Sequence, residues 1–264
     1  MSPLSSETSF QWNSSSPWMS KENMDYTHDG LVFFLGTLLC TFLLELCSLD
    51  TVQKLFKQPG VDGRSLYIAG VIANFRNHIM LGVPIYAIAA ALFCRNHSEL
   101  QTFDRIVCIL TLMIGHSIIF YIAHKAFHAS PTLYKHHRFH HRFNIHVTPM
   151  AAHAVSIVEY LVAYALPFTV PMPFIQPDLF SLRVAVMIVA FSNLLIHTPK
   201  LEEWSRLNLP EWWVTTHDHL EHHRKLNTKF AASTFNLDHF VKRLGVDISS
   251  SGPGATPDGK KTID

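Results

Sequence analysis

The chain has 264 residues and a net charge of +1, with 48% hydrophobic and only 16% charged residues, against roughly 25% charged in an ordinary soluble domain. That balance excludes an electrostatic nucleic-acid binder and places much of the chain in apolar stretches suited to a membrane. The four cysteines, Cys40, Cys47, Cys94 and Cys108, lie in or beside those stretches without paired spacing, so neither a disulfide scaffold nor a cysteine zinc site is expected.

Residues 1–29 are polar and serine-rich and read as a flexible N-terminus, without the basic start and early apolar core of a cleaved signal peptide. The first apolar run, 31–49, would be about 28 Å long as a helix, enough to span, and reads equally as a signal anchor. The second, 66–94, is interrupted by Arg76, Asn77 and His78, which leaves a clean part, 79–94, short for a full crossing. A third run covers 106–123. Two more, 155–172 and 179–196, are joined by the proline-rich "PMPFIQPD" and read as a helical hairpin that dips in and returns. The chain divides into N-terminal membrane spans over 30–105, a domain over 106–246 and a disordered tail over 247–264, too rich in Gly, Pro and Ser to pack. Basic residues follow the first span and recur around 124–146 and 224–229, which orients those loops to the cytosol. The Asn-x-Ser sequons at Asn13 and Asn96 then fall on the opposite side.

Histidine is the outlier, with 18 residues, nine of them between His116 and His153 and five between His197 and His223. His124 and His128 are four apart and share a helical face just past the third apolar run. His137, His140 and His141 are spaced i, i+3, i+4, and His219, His222 and His223 repeat that spacing. Eight imidazoles exceed the needs of one tetrahedral zinc and suit a two-metal centre, while iron, zinc, copper and nickel all accept imidazole. His116 lies eight residues before His124 on about the same face. A polar group so deep in a span must face the bundle interior, which makes it a candidate lining of a substrate channel.

Three stretches, "FYIAHKAFH" (120–128), "HHRFHH" (136–141) and "HDHLEHH" (217–223), resemble the histidine boxes of the membrane fatty acid hydroxylase superfamily, which includes sterol desaturases, methylsterol oxidases and sphingolipid hydroxylases. "TPMAAHAV" (148–155) and "LLIHTP" (194–199) resemble further segments of the carbon-5 sterol desaturases and add His153 and His197 as ligand candidates. "KFAASTFNLDHFVKRLGV" (229–246) is similar to the stretch that closes the domain. The chain departs from the sterol desaturases at Ser156 and Ile157, where those carry a second His and a Pro, and at Lys229–Ala231, where many relatives carry Asn-Tyr-Gly.

The resemblance implies an all-α polytopic membrane bundle with a cytosolic, histidine-rich helical cap holding a dimetal site. The metal ligands it implies are His124, His128, His137, His140, His141, His153, His197, His219, His222 and His223, with His136, His217 and Asp218 expected to hydrogen-bond ligating imidazoles from outside. It further implies a non-haem diiron oxygenase of the endoplasmic reticulum membrane that uses O2 to hydroxylate or desaturate a lipid-like substrate drawn from the bilayer. Electrons would come from NADH or NADPH through a reductase and cytochrome b5 as separate proteins, since the chain has no glycine-rich nucleotide fingerprint. Sterol, fatty acyl, sphingoid and terpenoid substrates all remain open at this level. A zinc-dependent hydrolase would want an H-E-x-x-H helix, which is absent; Glu221 in "HLEHH" is the one candidate base. A non-catalytic metal-binding membrane protein would place its histidines within the spans rather than beside them.

Overall fold

The computed structural model describes residues 21–95 and 101–245. Both sequons and the expected disordered tail lie outside the described residues. Among the described residues the chain is all-α, with one isolated antiparallel bridge between Trp213 and Phe235. Five helical segments are long and apolar enough to cross a membrane, Asp25–Cys47, Gly63–Phe93, Thr102–Ala129, Ile157–Ile175 and Leu179–Ile196, which fits a multi-pass membrane protein.

Helix α1 (Lys21–Cys47) begins within the expected flexible N-terminus, so residues 21–29 belong to the first helix. The short α2 (Leu49–Phe56) buries Thr51, Val52 and Leu55 and leaves Gln53 and Lys54 outside. The Asp62 carboxylate accepts from Ser65 N at 3.1 Å and opens α3 (Gly63–Phe75), satisfying an end amide that would otherwise lack a partner.

The polar residues that break the second apolar run do not end its helix. Helix α3 continues through a wide π-helical turn, Arg76–Gly82, into α4 (Val83–Phe93), giving one 31-residue candidate span. Its amides anchor the segment 150–155: Asn74 Nδ2 donates to Met150 O at 2.7 Å, Asn77 Nδ2 to His153 O and Val155 O, and Arg76 Nη2 to Val155 O at 2.8 Å. Inside a bilayer each of these groups would otherwise lack a partner. Gly82 permits the close approach at this turn, because a Cβ there would meet Phe34 Cζ and Tyr160 Oη at 2.7 Å.

Helix α5 (Thr102–Ala129) carries His116, His124 and His128. Ser130 caps α6 (Pro131–His141), whose first position is proline, the residue that tolerates a missing amide there. After a 3-10 turn, Pro149–His153, the fourth span is built from α7 (Ile157–Glu159), a wide turn (Tyr160–Ala165), α8 (Leu166–Thr169) and α9 (Met172–Ile175). The Asp178 carboxylate accepts from Ser181 N at 2.9 Å at the start of α10 (Leu179–Ile196) and pairs with Arg105 at 3.1 Å. The two segments expected to dip in and return are thus each long enough to cross.

Helices α11 (Glu202–Asn208), α12 (Thr216–Lys225) and α13 (Leu237–Arg243) complete the described chain. Only 22–44% of each span's most apolar window is buried, so most of it faces outward. Ile72, Met80, Leu92 and Ile122 are each more than 60% exposed, an apolar exterior suited to lipid. The interior is buried around Leu112, Met113, Leu182 and Ala185 at the centre of the bundle. The histidine-bearing ends of α5 and α10 meet α6 and α12 at one end of it.

Candidate metal centre

Nine histidines gather into two buried groups. His124, His128, His137, His141 and His222 form the first, and His140, His197, His219 and His223 the second; within each group the candidate ligand atoms lie within 4.8 Å of one another. The groups abut, with the His141 and His223 rings 4.7 Å apart and His140 and His223 also 4.7 Å apart.

Helix geometry explains the division. Neighbouring residues on a helix point about 100° apart, whereas i and i+4 point the same way. His137 and His141 therefore serve one group and His140 the other, while His219 and His223 serve the second and His222 the first. Each "HxxHH" box gives its i, i+4 pair to one group and its i+3 histidine to the other. The two boxes are thus interlocked through the centre.

Local caps fix these helices. At α12, Thr215 Oγ1 accepts from Asp218 N at 3.1 Å while the Asp218 carboxylate takes Thr215 N at 3.2 Å, a reciprocal capping box that sets the helix start just before His219. Lys229, which has positive φ, reaches Asp218 at 2.7 Å and ties the following loop to the same cap.

Five of the nine imidazoles have the outward ring nitrogen held by an oxygen acceptor, whereas Nδ1 of His141 and of His223 is buried without a partner. His124 Nδ1 donates to Phe230 O at 3.0 Å, His140 Nδ1 to Ala151 O at 3.1 Å, His197 Nδ1 to Asn193 O at 2.7 Å and His222 Nδ1 to Thr228 O at 2.8 Å. His137 Nδ1 donates to the Glu159 carboxylate at 2.7 Å. Each such bond fixes the proton on Nδ1 and turns the Nε2 lone pair inward.

Those inward nitrogens converge. His137 Nε2 stands 2.9 Å from His128 Nε2 and 2.8 Å from His141 Nε2; His219 Nε2 stands 2.8 Å from His197 Nε2 and 3.0 Å from His223 Nε2. His222 Nε2 is buried without a partner. Two ligands about 2.1 Å from one ion and at right angles stand ~3.0 Å apart, so the residues present fit a metal in each group. Burial, with neighbouring imidazoles adding to it, holds His137, His140, His141, His219 and His223 well below the usual histidine range, and pushes His197 and His222 down to about 4. Neutral imidazole is the form that binds metal.

Other expected residues sit elsewhere. His153 joins neither group: it packs on His78 at 4.4 Å between ring centroids, and Asn193 Nδ2 lies 3.4 Å from its Nε2. The wide turn in the second span and the anchored segment 150–155 hold it there, one layer deeper than the cap. His217 and Asp218 do not hydrogen-bond the nine imidazoles, since His217 pairs with Glu202 at 3.1 Å and Asp218 is occupied by the cap and Lys229. His136 is half-buried, and none of the hydrogen bonds of the nine involves it. Glu221 takes Lys225 at 2.5 Å on the outer side of α12.

Glu159 is the residue the sequence reading missed. It is a lone carboxylate inside an apolar span, one turn after its capping Ser156, and that isolation was the available signal. A cavity lies between the spans and carries His116, His78 and His153 on its walls. A smaller one reaches His124, His137 and Glu159, and the two share Phe120, Tyr164, Asn193 and Ser233.

No solved structure matches the chain. A family model described as fatty acid hydroxylase matches residues 109–242, just over half of the chain and the part that carries all nine clustered histidines. That family points to a membrane-bound oxidoreductase acting on lipid-like substrates. The chain belongs to the fatty acid hydroxylase family.

Proposed function

We propose that the chain is a membrane-bound, non-haem diiron oxygenase that hydroxylates or desaturates an unactivated C–H position of a lipid-like substrate. The observation that carries the reading is the pair of abutting all-imidazole groups, with lone pairs converging, at the end of an apolar cavity inside the membrane bundle. When bound, two irons would supply O2 activation and an oxidant strong enough to break a C–H bond.

His124, His128, His137, His141 and His222 hold one ion in this reading, and His140, His197, His219 and His223 the other. The chain's own contribution is placement. Carbonyl acceptors fix the orientations of His124, His140, His197 and His222 and the Glu159 carboxylate that of His137, the apolar cavity excludes water, and the spans admit the substrate from the bilayer. The substrate would reach the centre past Phe120 and Asn193, where the two cavities meet.

Electrons would be delivered from NADH or NADPH by cytochrome b5 and its reductase on the cytosolic side of the endoplasmic reticulum membrane. Of the basic residues beside the boxes, Lys135, Arg138 and Arg142 are exposed, whereas Arg224 and Lys225 are paired with Glu202 and Glu221. Lys135, Arg138 and Arg142, outside the described ion pairs, form the docking edge in this reading.

The test is expression in a host with its own electron-transfer chain, followed by untargeted comparison of lipid extracts with a His137→Ala control. An oxidised or desaturated lipid present only with the wild-type chain is expected. Identical extracts from a host that supplies sterols, fatty acyl lipids, sphingolipids and terpenoids would overturn the reading.

A further inference from the structure

The large cavity has an apolar wall, and among the described residues no Asp, Glu, Lys or Arg lines it. The charges nearest its Tyr86 end, Asp29 and Arg183, pair with each other at 2.8 Å, and the Tyr86 hydroxyl is spent on Asp29. Such a cavity has no counter-ion for a phosphate, a carboxylate or an ammonium group, and burying one unpaired is costly.

Two histidines in it have a ring nitrogen buried without a partner, His116 and His153; Asn193 Nδ2 stands 3.4 Å from the other nitrogen of His153, and His116 has no such neighbour. His116 is 4% exposed and packs between Phe168 and Phe120, at 4.4 and 6.0 Å between centroids. Its Nδ1 is buried without a partner, and among the described residues the ring makes no hydrogen bond at all. A neutral imidazole always carries one donor and one acceptor. Within a membrane span, leaving both unused is unfavourable unless something that enters the cavity uses them.

We propose that His116 recognises one uncharged hydrogen-bonding group, a hydroxyl or ketone, on the lipid that fills this cavity. The inference rests on the oxygenase reading of the adjoining centre. His116 is eight residues before His124, so the recognised group is held about 12 Å along the helix from the metal-facing end. The lipid enters polar end first and presents a hydrocarbon position to the histidine groups. That selects mono-oxygenated neutral lipids, such as sterols, terpenoid alcohols and long-chain alcohols. A fatty acyl chain entering tail first would set its methyl end against the unpaired imidazole. A phospholipid or acyl thioester carrier has no counter-ion at depth.

The test uses the full chain purified in detergent and two probe pairs, each delivered in the same micelles: a 3-hydroxysterol with its 3-deoxy counterpart, and hexadecanol with hexadecane. Apparent affinity is read from the thermal midpoint as each probe is titrated. At least one oxygenated member should bind about fivefold more tightly than its partner, the value of one net hydrogen bond. His116→Phe, which keeps the ring stacking, should erase that preference, and His116→Gln should restore part of it. Equal binding within both pairs, no binding by any probe, or a preference that survives in His116→Phe overturns the proposal; the wild-type comparison stands even if a variant fails to fold. Lipid oxidation is scored separately against His222→Ala. Product without probe discrimination sinks this inference alone, and discrimination without product or metal sinks the oxygenase reading instead.

Discussion

The Glu159 carboxylate accepts the Nδ1 proton of His137 at 2.7 Å, with both side chains at most 3% exposed. Its second oxygen has no partner among the described residues. A carboxylate this buried is tolerated when positive charge lies close by, and two ions among the imidazoles would provide it. Glu159→Ala is expected to lower metal content and to cut turnover about 10- to 100-fold, while Glu159→Gln keeps an acceptor and loses less metal. Metal analysis of the purified variants checks this; full loading and turnover in Glu159→Ala would show that the contact is incidental.

The interlocked boxes predict that adjacent histidines act on different groups. His223→Ala should weaken the second group and His222→Ala the first, each lowering the metal content of a chain that still inserts and elutes as the wild type does. Turnover should vanish in both, because the two groups act together, while the spans keep most of the packing. Membrane-inserted His140→Ala or His222→Ala protein with full turnover would contradict the ligand assignment.

Acidity should act on the metal-free protein in one direction. His197 and His222 fall to about 4 in the folded chain from an ordinary 6.5. Above 6.5 neither state takes the proton. As pH falls from 6.5 toward 4 the unfolded chain binds protons that the folded chain refuses, so stability is lost over that window. Thermal midpoints of chelated protein should drop steadily between pH 7 and pH 4.5; a flat or rising profile would mean the imidazoles are already charged when folded.

Charge reversal at Arg138 and Arg142 separates docking from structural support. Both are exposed and neither belongs to a described ion pair. Turnover with cytochrome b5 should fall, by 10- to 1,000-fold at most and less at high salt, and should survive with a small chemical reductant. Equal losses under both conditions would place these residues in the support of the site.

The eight box histidines were legible because i, i+3, i+4 spacing states a helical face directly, and the five apolar runs because a bilayer fixes span length. His197 also joined a group, carried there by family likeness. His153 did not, because the wide turn at Arg76–Gly82 and the amide anchors of Asn74 and Asn77 seat it one layer deeper. No local pattern encodes those contacts, made across more than seventy residues. Asp218 looked like an imidazole partner by adjacency, yet position three of a helix that starts at Thr216 favours a cap over a distant ring. Arg76 looked like a break in a span, and the structure uses it as a clamp.

Two irons held by nine imidazoles are the arrangement on which the proposed chemistry depends. Iron and zinc per chain, measured by mass spectrometry on wild-type protein purified in detergent without chelator, decide whether they are present. Two irons per chain are predicted, with a clear loss in His140→Ala. Stoichiometric zinc, a single ion, or metal that washes out during purification would contradict it.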